Sequence, residues 1–295
     1  HVFLNFDKVA RTNDNRDYVD KLRRFSLALN QCTERAFCQA VGIVRPKKQS
    51  RNRMVVPVVP LVLGGDDLTV VCDGRQALRF TKRFIDLFEE ETRNHPDINP
   101  VLSNGVTSCA GVAIIKPHFP FFAAYQLAED LLRSAKTIAK ATPDQFLSAI
   151  DYHILYDASG PDLERIRREL TVDVGRSPGD GKTLLVGRPY VTTPNQGPVN
   201  RRWSDLERRI TALQARDEDD RRRLPNSMLH DLREGLFLGH EAADARLKLV
   251  LGRYRDAGLD HLLGGEGSLF WKEDGTRRTA LLDAIDTAEF WEAEA

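Results

Sequence analysis

The residues of this chain with the clearest chemical potential lie together in one short stretch, Gly64-Gly65-Asp66-Asp67. Adjacent carboxylates favour a bound cation, and hard oxygen ligands of this kind select Mg²⁺ or Mn²⁺. Two such ions, about 3.5–4 Å apart, activate a hydroxyl nucleophile and stabilise the leaving oxygen in phosphoryl transfer. The glycines would let a triphosphate approach the backbone closely. A plain hairpin turn is the other interpretation, because Gly and Asp are common turn residues, and the four residues alone leave both open.

Two apolar runs flank this stretch and predict the element that carries it. Met54–Leu63 is almost wholly apolar and rich in Val, and Leu68–Cys72 is a second apolar, β-branched run. Strand, Gly-Gly turn and strand together predict a β-hairpin. Pro57 and Pro60 cannot donate to a strand ladder, so we expect them on an unpaired side or where pairing starts.

The elements around the hairpin indicate an α+β fold. Apolar residues recur every three or four positions in several segments, which predicts helices. The order of elements favours a sheet with antiparallel pairs and helices on one face, and it differs from the βαβ alternation of a Rossmann sheet. Predicted helices cover about residues 16–41, 75–94, 120–141 and 161–170, and predicted strands cover about 106–115, 149–156 and 183–190.

The pattern changes after about residue 193. Four apolar stripes with helical spacing follow, at about residues 203–213, 229–236, 247–254 and 282–288. The sequence therefore predicts two domains: residues 1–193, which mix helices and strands, and residues 194–295, which are all helical.

Composition excludes several classes of protein. The 43 basic and 43 acidic residues leave no formal net charge, so the chain has no overall attraction to nucleic acid or to an anionic membrane. An apolar content of 41% argues against intrinsic disorder, and no uncharged run is long enough to span a bilayer. Four dispersed cysteines without a C-x-x-C pair favour reduced thiols and a cytoplasmic location.

One local stretch is strongly basic. Five of the nine residues from Arg45 to Arg53 are Lys or Arg. Such a cluster could neutralise RNA or triphosphate, but a solvated loop is the favoured interpretation because no aromatic residues interleave to stack on bases.

Three segments together resemble a known family. Pro60–Val71 carries the hairpin, Ser108–Ile115 is a later strand, and Ala128–Lys136 is a helix that reaches Ala-Lys. They are similar to the catalytic palm of the large polymerase-cyclase subunit of type III CRISPR complexes and, more distantly, to the GGDEF palm of diguanylate cyclases. The resemblance covers about residues 1–193 and is firm over about 54–140. It implies a ferredoxin-like palm of the GGDEF or polymerase type, here followed by an α-helical domain.

The resemblance also implies an activity. Such palms are metal-dependent nucleotidyl cyclases or oligonucleotide synthases that use ATP or another NTP with Mg²⁺ or Mn²⁺, and members make cyclic oligoadenylate messengers in antiviral defence. Asp66 and Asp67 match the catalytic metal ligands. Gly64 and Gly65 match the turn approached by phosphate, Ser108 belongs to the matching nucleotide-binding segment, and Lys136 matches a lysine that contacts phosphate. Taken alone, Lys136 would be a surface residue near a helix C-terminus.

The chain departs from the family pattern near its start. The family uses a further acidic ligand from a first strand, in an Asp-Gly-type motif, and no Asp-Gly precedes the first helix here. Asp7 is one candidate for this metal ligand, if residues 2–6 are that strand. The favoured alternative is that residues 2–9 already follow the motif and the strand lies before His1.

Two function classes remain open on the residues. One is the synthase; the other is a non-catalytic palm that serves as a nucleotide-binding scaffold or partner-binding subunit. The implied partners are a second palm, from another copy or another subunit, and RNA-guided effector subunits, with no membrane. A diguanylate cyclase is disfavoured, because the hairpin ends in Asp-Asp rather than Asp/Glu-Glu-Phe and residues 56–59 hold no R-x-x-D feedback site.

Overall fold

The computed structural model describes residues 14–49, 53–141, 147–156, 162–173, 182–254 and 258–291. They mix helices with small sheets, which confirms the α+β class. Contacts divide the chain into two compact units, His1–Cys109 and Ala110–Ala295. The domain boundary predicted at residue 193 stays a prediction.

The first unit is built on two long helices. Helix α1 (Asn15–Val41) begins where the Asp14 side chain accepts a hydrogen bond from Arg16 N. Helix α2 (Gly74–Asn94) begins in the same way at Asp73. Both bury an apolar stripe, and the rings of Phe37 and Phe80 meet edge to face with centroids 6.1 Å apart. Both predicted helices are therefore confirmed.

Between the helices lie two hairpins. Strands β1 (Lys47–Gln49) and β2 (Arg53–Val55) pair antiparallel, so the basic stretch predicted as a loop is in part a hairpin; residues 50–52 lie outside the described part. Strands β3 (Val58–Gly64) and β4 (Asp67–Cys72) form the predicted second hairpin.

The two prolines of the apolar run lie where pairing is irregular. Pro57 precedes β3, and the register of β3 shifts between Pro60 and Val62. The predicted continuous strand over Met54–Leu63 is therefore wrong in one respect, because it breaks at residues 56–57 into β2 and β3.

Strand β5 (Cys109–Ile114) begins at the boundary of the two units and is followed by helix α3 (Phe121–Ala141) and strand β6 (Ala149–Ile154). Gly111 of β5 lies directly against α3: a Cβ placed there would stand 2.1 Å from Ala128 O and 2.4 Å from Leu132 N. Only glycine permits this approach of strand to helix. The remaining elements before residue 194 are α4 (Leu163–Glu169), β7 (Thr171–Asp173), β8 (Lys182–Leu184) and β9 (Tyr190–Val191).

The segment after residue 193 is not all helical, which corrects the prediction. It holds helices α5 (Trp203–Gln214), α6 (Asn226–Phe237), α7 (His240–Arg253) and α8 (Leu281–Ala288), a 3₁₀ turn (Leu259–Leu262), and the antiparallel strands β10 (Phe270–Glu273) and β11 (Thr276–Thr279). Asp274 and Gly275 form the connecting two-residue turn, with φ of 49° and 75°. An Asp-Gly pair with both φ values positive is typical of a β-hairpin. The apolar stripes with helical spacing on either side led instead to the prediction of an all-helical segment.

Strand pairing crosses the predicted boundary. β11 pairs in parallel with β8, and the described strands form a four-stranded sheet in the order β10-β11-β8-β7 beside a three-stranded sheet β5-β6-β9. The C-terminal strands are therefore part of the same sheet as strands that precede residue 193.

A buried carboxylate strengthens this connection. Asp283 of α8 is fully buried, and its Oδ2 accepts hydrogen bonds from Gly187 N, Arg188 N and the Tyr190 hydroxyl at 2.7, 3.1 and 2.7 Å. Arg188 Nε lies 3.1 Å from Asp283 Oδ1, and its Nη1 donates to Tyr152 O at 2.7 Å. Since a buried charge is tolerated only when it is paired and hydrogen-bonded, this network fixes α8 against β6 and the segment before β9.

None of the described helices is both long and apolar enough to cross a bilayer.

We expect Gly111→Ala to lower the free energy of unfolding by about 3 kcal/mol, because the new methyl group meets the backbone of α3 rather than a flexible side chain. Urea unfolding measures the change. Gly252→Ala is the matched control: it lies in α7, where an added Cβ would meet no atom within 4 Å, so it should stabilise by about 0.5–1 kcal/mol. Equal effects of the two substitutions would contradict the close packing of β5 and α3.

The raised pKa of Asp286, on α8, predicts that the stability of the protein depends on pH. Burial raises the pKa of this carboxyl from 3.8 to about 6, and the nearby charges of Asp283 and Glu289 add to this, while Arg188 and Arg233 oppose it. The folded protein holds the proton more tightly than the unfolded chain, so the stability that this group adds is present below about pH 4 and is lost as the pH rises through about 6.

The expected loss is at most about 3 kcal/mol, and Asp286→Asn should remove it. The measurement is urea unfolding of both proteins at about pH 4.5 and about pH 7. An identical pH dependence in the two proteins would show that the carboxyl is not perturbed.

Candidate functional site

The Gly-Gly-Asp-Asp stretch forms a tight turn at the tip of the β3–β4 hairpin. Gly64 pairs with Asp67, so Gly65 and Asp66 are the two loop residues. Gly65 has a φ of +61°, which an L side chain rarely adopts, whereas Gly64 is outside that region. A positive φ at the first loop position alone is the pattern of a type II′ turn, which demands glycine there. Gly65 is thus required by backbone geometry, and Gly64 is not.

Helix α1 holds this turn through two side chains. Asn30 Oδ1 accepts a hydrogen bond from Gly65 N at 2.9 Å, and the Thr33 hydroxyl donates to Gly65 O at 2.6 Å. Neither residue was predicted from the sequence. The signal that the sequence holds is a polar residue, Thr33, beside the apolar stripe of Leu29, Cys32 and Ala36. In the structure Thr33 is only 1% exposed.

The turn presents two carboxylates that no described side chain neutralises. Asp66 and Asp67 are exposed, and neither carboxylate forms a hydrogen bond or ion pair with another described residue. By contrast, Asp86 and Asp130 pair with Lys82 and Arg133 on their own helices. Two adjacent carboxylates without a cationic partner repel each other, and a divalent cation relieves that repulsion. Two carboxylates are a donor set compatible with Mg²⁺ or Mn²⁺, and the assignment of Asp66 and Asp67 as the ligands stays a prediction.

The hairpin does not contain a complete set of metal ligands. Over the described ranges, no group of three His, Cys, Asp or Glu side chains is arranged to hold a metal ion. The predicted third ligand, Asp7, lies outside the described residues. Mg²⁺ is commonly bound through one or two carboxylates together with substrate phosphates, so two protein carboxylates are compatible with such an ion.

The two other predicted site residues belong to later elements. Ser108 is partly buried and immediately precedes β5. Lys136 lies on α3 in the second unit, between the buried residues Ala135 and Ile138 along the chain, and its side chain is exposed. No hydrogen bond or ion pair joins Lys136 to another described residue, so its ammonium is available to an anion.

Thiol chemistry is not available beside the hairpin. Burial raises the pKa of Cys32, on α1, and of Cys72, at the end of β4, to about 11. Nearby Glu91 adds to the shift at Cys32 and Asp73 to that at Cys72. Both thiols stay protonated near neutral pH, and a protonated thiol is neither a good nucleophile nor a metal ligand.

Residues 5–142 match the family described as Cas10/Cmr2, second palm domain. The matched segment includes the hairpin with Asp66 and Asp67 and the helix with Lys136. This segment is similar to a palm domain of a Cas10-like type III CRISPR subunit. No curated protein matches the chain.

The matched family gives the hairpin a chemical context. The family belongs to the nucleotidyltransferase and cyclase superfamily, and its palm enzymes generally use divalent metals. Cas10 proteins are subunits of multi-subunit type III effector complexes. In the sequence, the hairpin, the later strand and the helix that reaches Ala-Lys predict a resemblance to this family. The family match confirms that prediction.

We expect Asp66→Asn with Asp67→Asn to weaken Mn²⁺ binding by at least about tenfold, because both hard oxygen anions of the turn are lost. The measurement is electron paramagnetic resonance of free Mn²⁺, titrated with protein in the presence of a non-hydrolysable ATP analogue.

The matched control is Asp219→Asn with Asp220→Asn, which makes the same charge change on another exposed turn. Equal Mn²⁺ affinity in the two double variants would show that the hairpin carboxylates hold no metal.

Proposed function

We propose that this Cas10-like palm is a metal-dependent nucleotidyl cyclase or oligonucleotide synthase that acts in the cytoplasm. Its substrates are ATP-like, and its product is a second messenger of the cyclic oligoadenylate type used in type III antiviral defence. The observation that carries the proposal is the hairpin tip, where two exposed carboxylates without a cationic partner are fixed on a turn that helix α1 holds. A ferredoxin-like strand order of the palm is part of the same proposal.

The proposed reaction joins two nucleotides. The 3′-hydroxyl oxygen of one bonds to the α-phosphorus of the other, the bond from that phosphorus to the bridging oxygen breaks, and pyrophosphate leaves while the hydroxyl proton passes to solvent. Repetition with closure on the first nucleotide gives a ring. Bound Mg²⁺ or Mn²⁺ supplies Lewis-acid activation of the hydroxyl and charge stabilisation at the leaving oxygen.

The residues of this chain have distinct tasks in that reaction. Asp66 and Asp67 hold the cation, and the small turn residues Gly64 and Gly65 leave room for phosphate to approach the backbone. Lys136 offers an exposed ammonium that would neutralise charge on phosphate, and Ser108 is proposed to bind the nucleotide.

The second candidate function is a palm that binds nucleotide or partner subunits without turnover. A scaffold would tolerate loss of both hairpin carboxylates, whereas a synthase would not.

Either function is compatible with the same partners. A second palm, from another copy of this chain or from another subunit, and the RNA-guided effector subunits of a type III complex are the partners that we propose. Similarity to the Cas10 family supports the effector subunits.

We expect α-labelled ATP, incubated with the protein and Mg²⁺ or Mn²⁺, to give oligonucleotide products that chromatography resolves. Asp66→Asn with Asp67→Asn should reduce product by about 100-fold or more, since loss of residues that merely support metal ligands already costs 10–100-fold. Parallel reactions with the other NTPs identify the base. Asp219→Asn with Asp220→Asn should leave the rate unchanged.

Two results would contradict the synthase. One is product formation that survives loss of both hairpin carboxylates. The other is the absence of product from every nucleotide while the protein binds ATP, which is the result that a scaffold predicts.

A further inference from the structure

The peptide groups of Gly65 are held on both sides by helix α1. Its N–H donates to Asn30 Oδ1 at 2.9 Å, and its carbonyl oxygen accepts from the Thr33 hydroxyl at 2.6 Å. Gly65 is the turn residue with positive φ, and it directly precedes Asp66. The two hydrogen bonds therefore act on the peptide groups that immediately precede Asp66 and Asp67.

Both side chains are themselves oriented. Asn30 Nδ2 donates to Glu34 Oε1 at 2.8 Å, which leaves Oδ1 as the atom that faces Gly65. Thr33 is 1% exposed, and its hydroxyl also lies 3.0 Å from Leu29 O, one turn earlier. A buried hydroxyl with two oxygen neighbours has little freedom to rotate away.

Helix α1 gives this pair a rigid base. Its buried stripe includes Phe25, Leu29 and Phe37, and Phe37 contacts Phe80 of α2. Asn30 and Thr33 are three positions apart, so they lie side by side on the helix surface. The position of the turn is therefore coupled to the packed core of the first unit.

We propose that Asn30 and Thr33 are positioning residues for the metal ligands Asp66 and Asp67. They hold the Gly65 peptide that leads into Asp66 and Asp67, so that the turn which carries both carboxylates keeps its conformation when a cation binds. This inference rests on the proposed function, since it assigns these residues to the cation of that reaction.

The test compares three variants of the pair with one control. Thr33→Val removes the hydroxyl at nearly constant volume, Thr33→Ser restores it, and Asn30→Ala removes the acceptor of Gly65 N–H. Thr81→Val is the control, because the Thr81 hydroxyl donates only within helix α2, to Ala77 O at 2.8 Å. Circular dichroism and thermal unfolding establish that each variant is folded.

Three readouts are taken on each folded variant: amide hydrogen exchange of peptides covering 58–72, Mn²⁺ affinity with a non-hydrolysable ATP analogue, and kcat and KM for product formation. We expect Thr33→Val and Asn30→Ala to accelerate exchange, to weaken Mn²⁺ binding by about tenfold, and to lower kcat more than they raise KM. Thr33→Ser and Thr81→Val should behave like the wild type.

The outcomes separate this inference from the function on which it rests. Mn²⁺ affinity that is unchanged in Thr33→Val and Asn30→Ala overturns the positioning role, even where loss of Asp66 and Asp67 abolishes product. Weaker Mn²⁺ binding in those variants, with no product from any NTP, supports the positioning role and refutes the synthase. A wild-type protein that binds no Mn²⁺ refutes both.

Discussion

The site depends on the backbone of one residue, Gly65. Its positive φ turns the chain so that Asp66 and Asp67 follow each other at the tip of a hairpin, where two negative charges without a cationic partner repel. Two factors stabilise such an arrangement: a backbone that is held from elsewhere, and a cation that neutralises the charges. Helix α1 provides the first of these through Asn30 and Thr33. The second is what makes the turn a candidate for metal-dependent chemistry.

Aspartates of this chain have different roles because some are buried and others are exposed. Asp283 is buried, its Oδ2 accepts hydrogen bonds from two backbone N–H groups and a tyrosine hydroxyl, and its Oδ1 forms an ion pair with Arg188, so it stabilises the second unit and is closed to ligands. Asp66 and Asp67 are exposed and unengaged among the described residues, which contributes nothing to packing and leaves them free for an external cation. This contrast separates a carboxylate that maintains the fold from two that remain exposed, and only the exposed pair fits the metal-dependent chemistry proposed above.

Much of the fold was predictable because its signals are local. The periods of apolar residues gave α1, α2 and α3 almost to the residue, and two apolar runs around Gly-Gly gave the β3–β4 hairpin. The β10–β11 hairpin was not predicted, since its strands are short and only pairing with β8, far away in sequence, reveals them as part of a sheet. The apolar residues on either side have helical spacing, so the Asp-Gly turn between them was not predicted as part of a hairpin.

For the candidate site, the sequence by itself determined the residue types and the turn: Gly64-Gly65-Asp66-Asp67 between two apolar runs places two carboxylates, which are hard oxygen donors, at the tip of a hairpin. Only the tertiary structure decided which glycine the turn requires and which side chains hold it. Asn30 and Thr33 lie more than 30 residues before Gly65, and no local pattern links them to it. Their role arises from the packing of α1 beside the hairpin, because a hydrogen bond between distant residues exists only once the core has brought them together.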